Sequence, residues 1–222
     1  SSFYYDQATA WAEQQSVPVN RALEAIGLSK KGDEIPSLDK VMIAEANSLA
    51  ETSKVEMGGA GDIHLIYAAT LLSESTIAIE TGVAYGWSSL AILSGLKDSP
   101  LSLLVSVDMP YPKLNNEDFV GIVVPKLMKK KWHLIREPDR KGIKKAIKKI
   151  NEPVDLCHYD SDKSYYGRLY GYSLFWDSLK KGGIFISDDI QDNLAFKEFI
   201  EEKNIKFAVT EYKGKYIGIV IK

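Results

Sequence analysis

The stretch from Thr76 to Leu90, Thr-Ile-Ala-Ile-Glu-Thr-Gly-Val-Ala-Tyr-Gly-Trp-Ser-Ser-Leu, constrains this chain more than any other. A short apolar run ends in Glu80, the glycines Gly82 and Gly86 follow, and a helical pattern starts at Ser88. That order predicts a strand, a tight glycine turn and a helix. Glycine has no Cβ and tolerates positive φ, so such a turn lets a ligand approach the backbone closely. The helix start offers free N–H groups. An acid at the strand tip can accept hydrogen bonds from a hydroxyl or an amine. The stretch marks the seat of a nucleotide-like ligand.

Strands and helices alternate beyond it. Apolar runs occur at Thr76–Glu80, Leu101–Asp108, Trp132–Arg136, Val154–Asp160 and Gly183–Asp188, with helical patterns over 87–97, 140–150, 164–180 and 192–203. Two late β-rich runs, Lys206–Glu211 and Lys215–Ile221, are joined by the hairpin signal Lys213-Gly214. Parallel βαβ units closed by a hairpin predict an α/β fold, an open and mostly parallel sheet covered by helices on both faces. In such sheets ligands bind outside the carboxyl ends of the strands. Glu80, Asp108, Asp160 and Asp188 end four of the five parallel runs, and acids suit a polar crevice better than a buried strand centre.

Residues 1–55 read as a helical extension, serving as a lid or a dimerisation surface. Ala22, Leu23 and Ile26 form one apolar stripe, and Ser37 is a candidate cap for a second helix through Leu38, Val41, Met42, Leu49 and Ala50. Polar residues 29–36 read as the loop between them. Gly58-Gly59-Ala60-Gly61 marks a boundary, so residues 56–222 are expected to form the main domain, with Asp62 capping its first helix.

The 222 residues can bury a sizeable core. A net charge of −2 argues against general nucleic-acid binding, which needs a strongly basic face. No apolar run approaches the roughly 20 residues that span a bilayer, and the start Ser1-Ser2-Phe3 has no signal-peptide pattern. A cytoplasmic protein with no membrane partner is expected. The single cysteine, Cys157, excludes an internal disulfide and a cysteine-based zinc cluster.

The glycine turn departs from the dinucleotide fingerprint G-x-G-x-x-G, because the close glycine pair that seats a pyrophosphate is missing. No G-x-x-x-x-G-K-[ST] phosphate loop occurs either. Tyr159-x-x-x-Lys163 has a short-chain dehydrogenase spacing, but that pair belongs on a helix and Tyr159 sits at a strand end.

Read together, these stations resemble a known family. Glu80-Thr-Gly82-Val-Ala-Tyr-Gly86-Trp-Ser88, Val105-Ser-Val-Asp108, the run Asp155 to Tyr165, and the run Leu179 to Ile190 with its Asp188-Asp189 pair are similar, in order, to motifs of class I S-adenosylmethionine-dependent methyltransferases. The resemblance covers about residues 56–222. It implies a Rossmann-like, seven-stranded, mostly parallel sheet with its last strand antiparallel. It also implies S-adenosyl-L-methionine as cofactor, bound by Met57, Gly59, Glu80, Gly82, Val83, Tyr85, Gly86, Ser88, Asp108 and Asp160. Gly82 and Gly86 would admit the methionine part, Glu80 its amino or sugar end, and Asp108 the ribose hydroxyls.

Asp160, Asp188 and Asp189 invite a further reading. Three converging carboxylates repel one another and must gain protons or gather a cation, and oxygen ligands select Mg²⁺ or a similar ion over zinc. The alternative is that Asp188 and Asp189 cap the next helix. Methyltransferases of sugar or catechol-like hydroxyls are similar here, so the resemblance implies an O-methyltransferase of a small-molecule acceptor. Asp162 would be the general base, with Asp160 and Lys163 beside it. Where many relatives have histidine this chain has Lys163, which at ordinary pKa is a poor base and could instead bind an anionic acceptor or pair with an acid. His158 reads as a satisfied strand histidine, and Asp139 as a helix cap. A different class of reading makes the domain a catalytically silent S-adenosylmethionine binder acting as a partner or regulatory protein.

Two further features have plain explanations. The lysines between Lys126 and Lys149 read either as a patch for an acidic partner or, as expected here, as the solvated outer face of a helix whose inner stripe is Ile143, Ile147 and Ile150. Tyr165 and Tyr166 are candidates for an acceptor-pocket wall, while Tyr170, Tyr172, Phe175 and Trp176 suit core or homodimer contacts.

Overall fold

The structure, a computed structural model, describes residues 2–222. Ser1, where the expected extension begins, lies outside the described residues, as do the side chains of Ser2 and Phe3. Three N-terminal helices, α1 (Ser2–Gln15), α2 (Val19–Ala25) and α3 (Lys40–Glu51), precede α4 (Ile63–Leu72). Then follow β1 (Ile77–Thr81), α5 (Trp87–Gly95), β2 (Leu103–Val107), β3 (Trp132–Ile135), α6 (Asp139–Ile150), β4 (Val154–Tyr159), α7 (Tyr165–Ser178) and β5 (Leu179–Ser187). The chain closes with α8 (Ala195–Lys203), β6 (Phe207–Tyr212) and β7 (Lys215–Ile221).

The seven strands form one sheet in the order β3-β2-β1-β4-β5-β7-β6. Pairings among β1 to β5 are parallel, and β7 runs antiparallel to both of its neighbours. One buried cluster gathers Leu65 and Ile66 of α4 with Leu90 and Ile92 of α5. The other gathers Ile143 of α6, Tyr172 and Phe175 of α7, and Phe196 and Phe199 of α8. Fully burying an aromatic or aliphatic side chain contributes about 1.5–3 kcal/mol, so Tyr172 and Phe175 hold α7, while Tyr166 is exposed. On α6, Ile143 and Ala146 are buried and Lys141, Lys144, Lys145, Lys148 and Lys149 face solvent, but Lys126, Lys129, Lys130 and Lys131, expected on the same helix, lie in a 3-10 segment before β3.

The N-terminal helices share these cores. Ala22 and Leu23 join the first cluster. Ala12 joins the second, Trp11 stacks on Phe207 at 5.8 Å, and the Val17 N–H donates to the Val209 carbonyl at 2.8 Å. Among the described residues no helix is long and apolar enough to cross a membrane.

Three local readings need correction. Asp39, not Ser37, caps α3, because its carboxylate accepts from the N–H groups of Val41 (2.7 Å) and Met42 (3.2 Å). The helix expected over 164–180 ends at Ser178, and β5 starts at Leu179. There Gly182 takes a left-handed conformation (φ +83°) within β5, and the chain end pairs with the Gly182-Gly183 pair, Gly182 N–H bonding the Lys222 carbonyl at 2.7 Å and Lys222 N–H that of Gly183 at 2.9 Å. Strand β1 continues past Glu80 to Thr81.

Candidate functional site

The sheet ladder continues one step past the carboxyl ends of its strands. Gly82 N–H donates to the Val107 carbonyl (2.8 Å), Asp108 N–H to that of Ile135 (3.0 Å), Asp160 N–H to that of Thr81 (2.9 Å) and Asp188 N–H to that of Tyr159 (2.9 Å). A cleft of about 1010 Å³ lies over these four residues. Residues 56–63 and the β6–β7 hairpin, through Tyr212, Lys213 and Lys215, also line it. The cleft sits where the strand order reverses between β1 and β4, the usual ligand crevice of an open α/β sheet.

The turn after β1 needs its glycines. Gly82 has φ +84°, and a Cβ there would meet the Asp160 carbonyl oxygen at 1.8 Å. Gly86, at φ +98°, caps α5, and a Cβ there would lie 3.0 Å from both Gly121 Cα and Val124 Cγ2. Between them the Val83 N–H donates to Asp108 Oδ1 at 2.9 Å, which ties the turn to the end of β2.

Of the residues named from the sequence, Met57, Gly59, Gly82, Val83, Ser88, Asp108, Asp160, Asp162, Lys163, Asp188 and Asp189 line the cleft. Glu80, Tyr85 and Gly86 stand behind its lining. Glu80 is fully buried, one residue short of the strand end. Its carboxylate accepts hydroxyl bonds from Ser88 (2.8 Å), Ser106 (2.7 Å) and Ser89, so it braces α5 and β2 rather than meeting the cleft. The Tyr85 phenol accepts from Met57 N–H (3.1 Å) and donates to the Val55 carbonyl (2.6 Å), anchoring the segment that borders the cleft.

Asp108 forms an ion pair with Arg136, which also holds Glu117 at 2.6 Å. Burial outweighs the Val83 and Arg136 bonds and raises the Asp108 pKa above the usual carboxylate value. Asp139 lines the cleft as well and accepts from Ser161 Oγ at 2.6 Å, while Pro138 holds the cap position of α6. Asp139 is thus a cleft residue and not the expected cap.

Two of the three carboxylates expected at a metal, Asp188 and Asp189, are bonded to cationic side chains. His158 is fully buried between Glu80 and Asp188, with Nδ1 3.4 Å from Glu80 Oε2 and Nε2 2.8 Å from Asp188 Oδ2. Burial opposes its charge, but Asp188 and then Glu80 outweigh burial and lift its pKa to about 10, so it is an imidazolium at neutral pH. Asp189 takes a left-handed conformation (φ +53°) and pairs with Lys163 Nζ at 2.9 Å. Burial disfavours both charges of that pair, yet their contact outweighs it, lowering the pKa of Asp189 and raising that of Lys163. Among the described residues no three His, Cys, Asp or Glu side chains are grouped to hold a metal ion. A resident Mg²⁺ does not fit this donor set, because Asp188 and Asp189 are each bonded to a cationic side chain. Lys163, held protonated, does not fit the role of base.

Two carboxylates remain as candidate proton acceptors. Asp162 Oδ1 accepts from Ser164 N–H at 2.8 Å, and Oδ2 lies against Gly167, so this side chain is turned to the first turn of α7. Asp160 opens to solvent in the cleft while protein encloses its other sides. Enclosure, then repulsion from Asp188, with a further push from Asp189, raises its pKa well above the usual carboxylate value, partly offset by His158 and Lys163.

Sequence reasoning missed Arg168. It is buried on α7 and donates to the carbonyls of Asp188 (2.9 Å) and Asp189 (3.1 Å) and to Ser187 Oγ (3.2 Å), fixing the turn after β5 from behind. The 3.6-residue spacing that identifies α7 carries no mark of a buried charge. The suggested acceptor wall of Tyr165 and Tyr166 is also incorrect. Neither lines the cleft, for the Tyr165 hydroxyl donates to Glu198 and Tyr166 projects into solvent.

This strand order, with a crevice at the switch between β1 and β4 and acids at the strand ends, defines a Rossmann-like methyltransferase fold. The chain belongs to the methyltransferase-domain family, which matches residues 79–190. Among solved structures it is similar to the O-methyltransferase from Bacillus cereus in complex with SAH, with a TM-score of 0.66 at 12% identity over 95% of this chain and 100% of that one. It is also similar to the O-methyltransferase TomG from Streptomyces achromogenes, involved in tomaymycin synthesis and solved with SAM, with a TM-score of 0.55 at 13% identity over 95% of this chain and 98% of that one. No curated protein matches the sequence significantly.

Proposed function

We propose that the protein is an S-adenosylmethionine-dependent O-methyltransferase acting on a hydroxyl of a small molecule of sugar or natural-product type. The observation that carries this reading is the convergence of the Gly82 turn, Asp108 and Asp160 in one cleft at the strand ends of a methyltransferase-domain chain. The residues suit the cofactor. Both Asp108 oxygens keep a lone pair beyond their bonds to Val83 and Arg136, as a ribose diol needs. Glu56, Asp62, Asp139 and Asp160 line the cleft and form no ion pair among the described residues, and they favour a sulfonium and an ammonium. The cleft is large enough for a nucleoside, its amino-acid tail and an acceptor.

When bound, S-adenosylmethionine supplies an already activated methyl group. The chain then has to hold the acceptor in line and remove its proton. Asp160 is the base in this reading: it faces the cleft, and its raised pKa brings it nearer working pH than an ordinary carboxylate. Asp162 shapes the turn before α7.

Calorimetric titration with S-adenosylmethionine tests the reading, and no detectable heat at millimolar ligand removes it. Binding together with methyl consumption across a panel of hydroxyl-bearing acceptors supports catalysis. Binding without consumption across the panel favours the silent, partner-type role.

A further inference from the structure

Lys163 stands where the fold would otherwise leave an unbalanced group of carboxylates. Asp160, Asp188 and Asp189 border the same cleft, and each feels the others' charge or a neighbouring cation. His158 bonds Asp188 from inside the sheet, at a position no solvent reaches. Lys163 bonds Asp189 from the cleft side with its own side chain about half exposed. An ammonium has three donors. One goes to Asp189, and among the described residues Lys163 Nζ has no other hydrogen-bond or ion-pair partner. Lys163 and Asp160 line the same cleft, and the ammonium charge favours the ionised form of the Asp160 carboxyl. Asp189 is itself buried, and Arg168 fixes the carbonyls of Asp188 and Asp189. The carboxylate that aims Lys163 is therefore set by the fold.

We propose that Lys163 is the built-in cation of the acceptor subsite: anchored on Asp189, it donates a hydrogen bond to the acceptor oxygen and takes the place of a divalent metal ion. The inference rests on the methyl-transfer reading above. The acceptor hydroxyl gives its proton to Asp160, and its oxygen forms the new bond to the methyl carbon. The carbon–sulfur bond of the cofactor breaks with its electron pair left on sulfur, so the sulfonium becomes a neutral thioether. Lys163 keeps its proton throughout and offsets the charge that builds on oxygen.

Removing Lys163 should restore what it replaces. Mn²⁺ is titrated, with electron paramagnetic resonance detection, into the full-length protein, Lys163→Ala, Lys163→Met and the double variant Lys163→Ala/Asp189→Asn. The wild-type protein is expected to show no saturable site below millimolar Mn²⁺. Both single variants should gain a site at least tenfold tighter, and the double variant should lose it. A wild-type site as tight as that of the variants, or no gain in either variant, overturns the proposal. The Lys163 side chain is about half exposed, so both variants should fold, and their thermal melts check this. Titrating S-adenosylmethionine into the same samples tells failure of the methyltransferase reading apart from failure of this one. With any acceptor the protein turns over, EDTA should leave the wild-type rate unchanged. Mn²⁺ should then restore part of the rate lost in Lys163→Met, which a merely structural lysine would not allow.

Discussion

His158 Nε2 and Asp188 Oδ2 lie 2.8 Å apart beneath the cleft, a bond that makes a fully buried imidazole into a cation. Its pKa rises from an ordinary 6.5 to about 10 on folding. At pH values between these two the folded protein holds this proton and the unfolded chain increasingly does not. Stability is therefore full below about pH 6.5 and falls as pH rises toward about 10. The expected slope contribution is at most about 1.4 kcal/mol per pH unit. Urea unfolding from pH 6 to 9.5 should show it, and His158→Gln should flatten the curve. Equal slopes for the two proteins would rule out a charged His158.

A methyl group at position 82 would collide with the Asp160 carbonyl, and the backbone there is left-handed. Strain of that conformation and overpacking together predict a loss of about 2–5 kcal/mol for Gly82→Ala. Gly59→Ala, with nothing within 4 Å of the added carbon, should unfold at the wild-type urea concentration. A wild-type midpoint for Gly82→Ala contradicts the geometry.

Tyr85→Phe deletes the hydroxyl that joins Met57 and Val55 to the glycine turn. Two hydrogen bonds of this kind are worth about 1–2 kcal/mol. The expected result is a roughly 5- to 30-fold weaker S-adenosylmethionine affinity with a small change in melting temperature. Calorimetry on the variant checks it, and unchanged affinity means the 55–61 segment does not close on the cofactor.

Asp160→Asn should lower kcat by about 100- to 10,000-fold, the usual range for a general base. Because Asp160 must be ionised to accept a proton, the wild-type rate should climb with pH through an apparent pKa above the usual carboxylate 3.8. That acidic limb should vanish in the variant. If Asp162→Asn removes the limb instead, the base is Asp162.

The strands and the acids at their ends were legible because a β-run closed by a carboxylate has few other uses in a parallel sheet. Glu80 was misplaced by a single residue: β1 continues to Thr81, so Glu80 stays inside the sheet, where serines of α5 and β2 receive it. The destinations of Asp188 and Asp189 were hidden for another reason. Their partners, His158 and Lys163, come from the neighbouring strand and the turn after it, and no spacing along the chain encodes that encounter. Arg168 was invisible because a buried guanidinium is recognised by the carbonyls it meets, not by its helical position.

The ladder that runs on from the strand ends has a consequence for how such a protein can diversify. Gly82, Asp108, Asp160 and Asp188 each lend their own N–H to a neighbouring strand, so the floor of the cleft is part of the sheet's weave. Residues 56–62 and Lys213, in the turn between β6 and β7, border the same cleft from outside that weave. Residues there can be exchanged without re-registering a strand. The rim can thus be rewritten while the floor of the cleft is inherited intact.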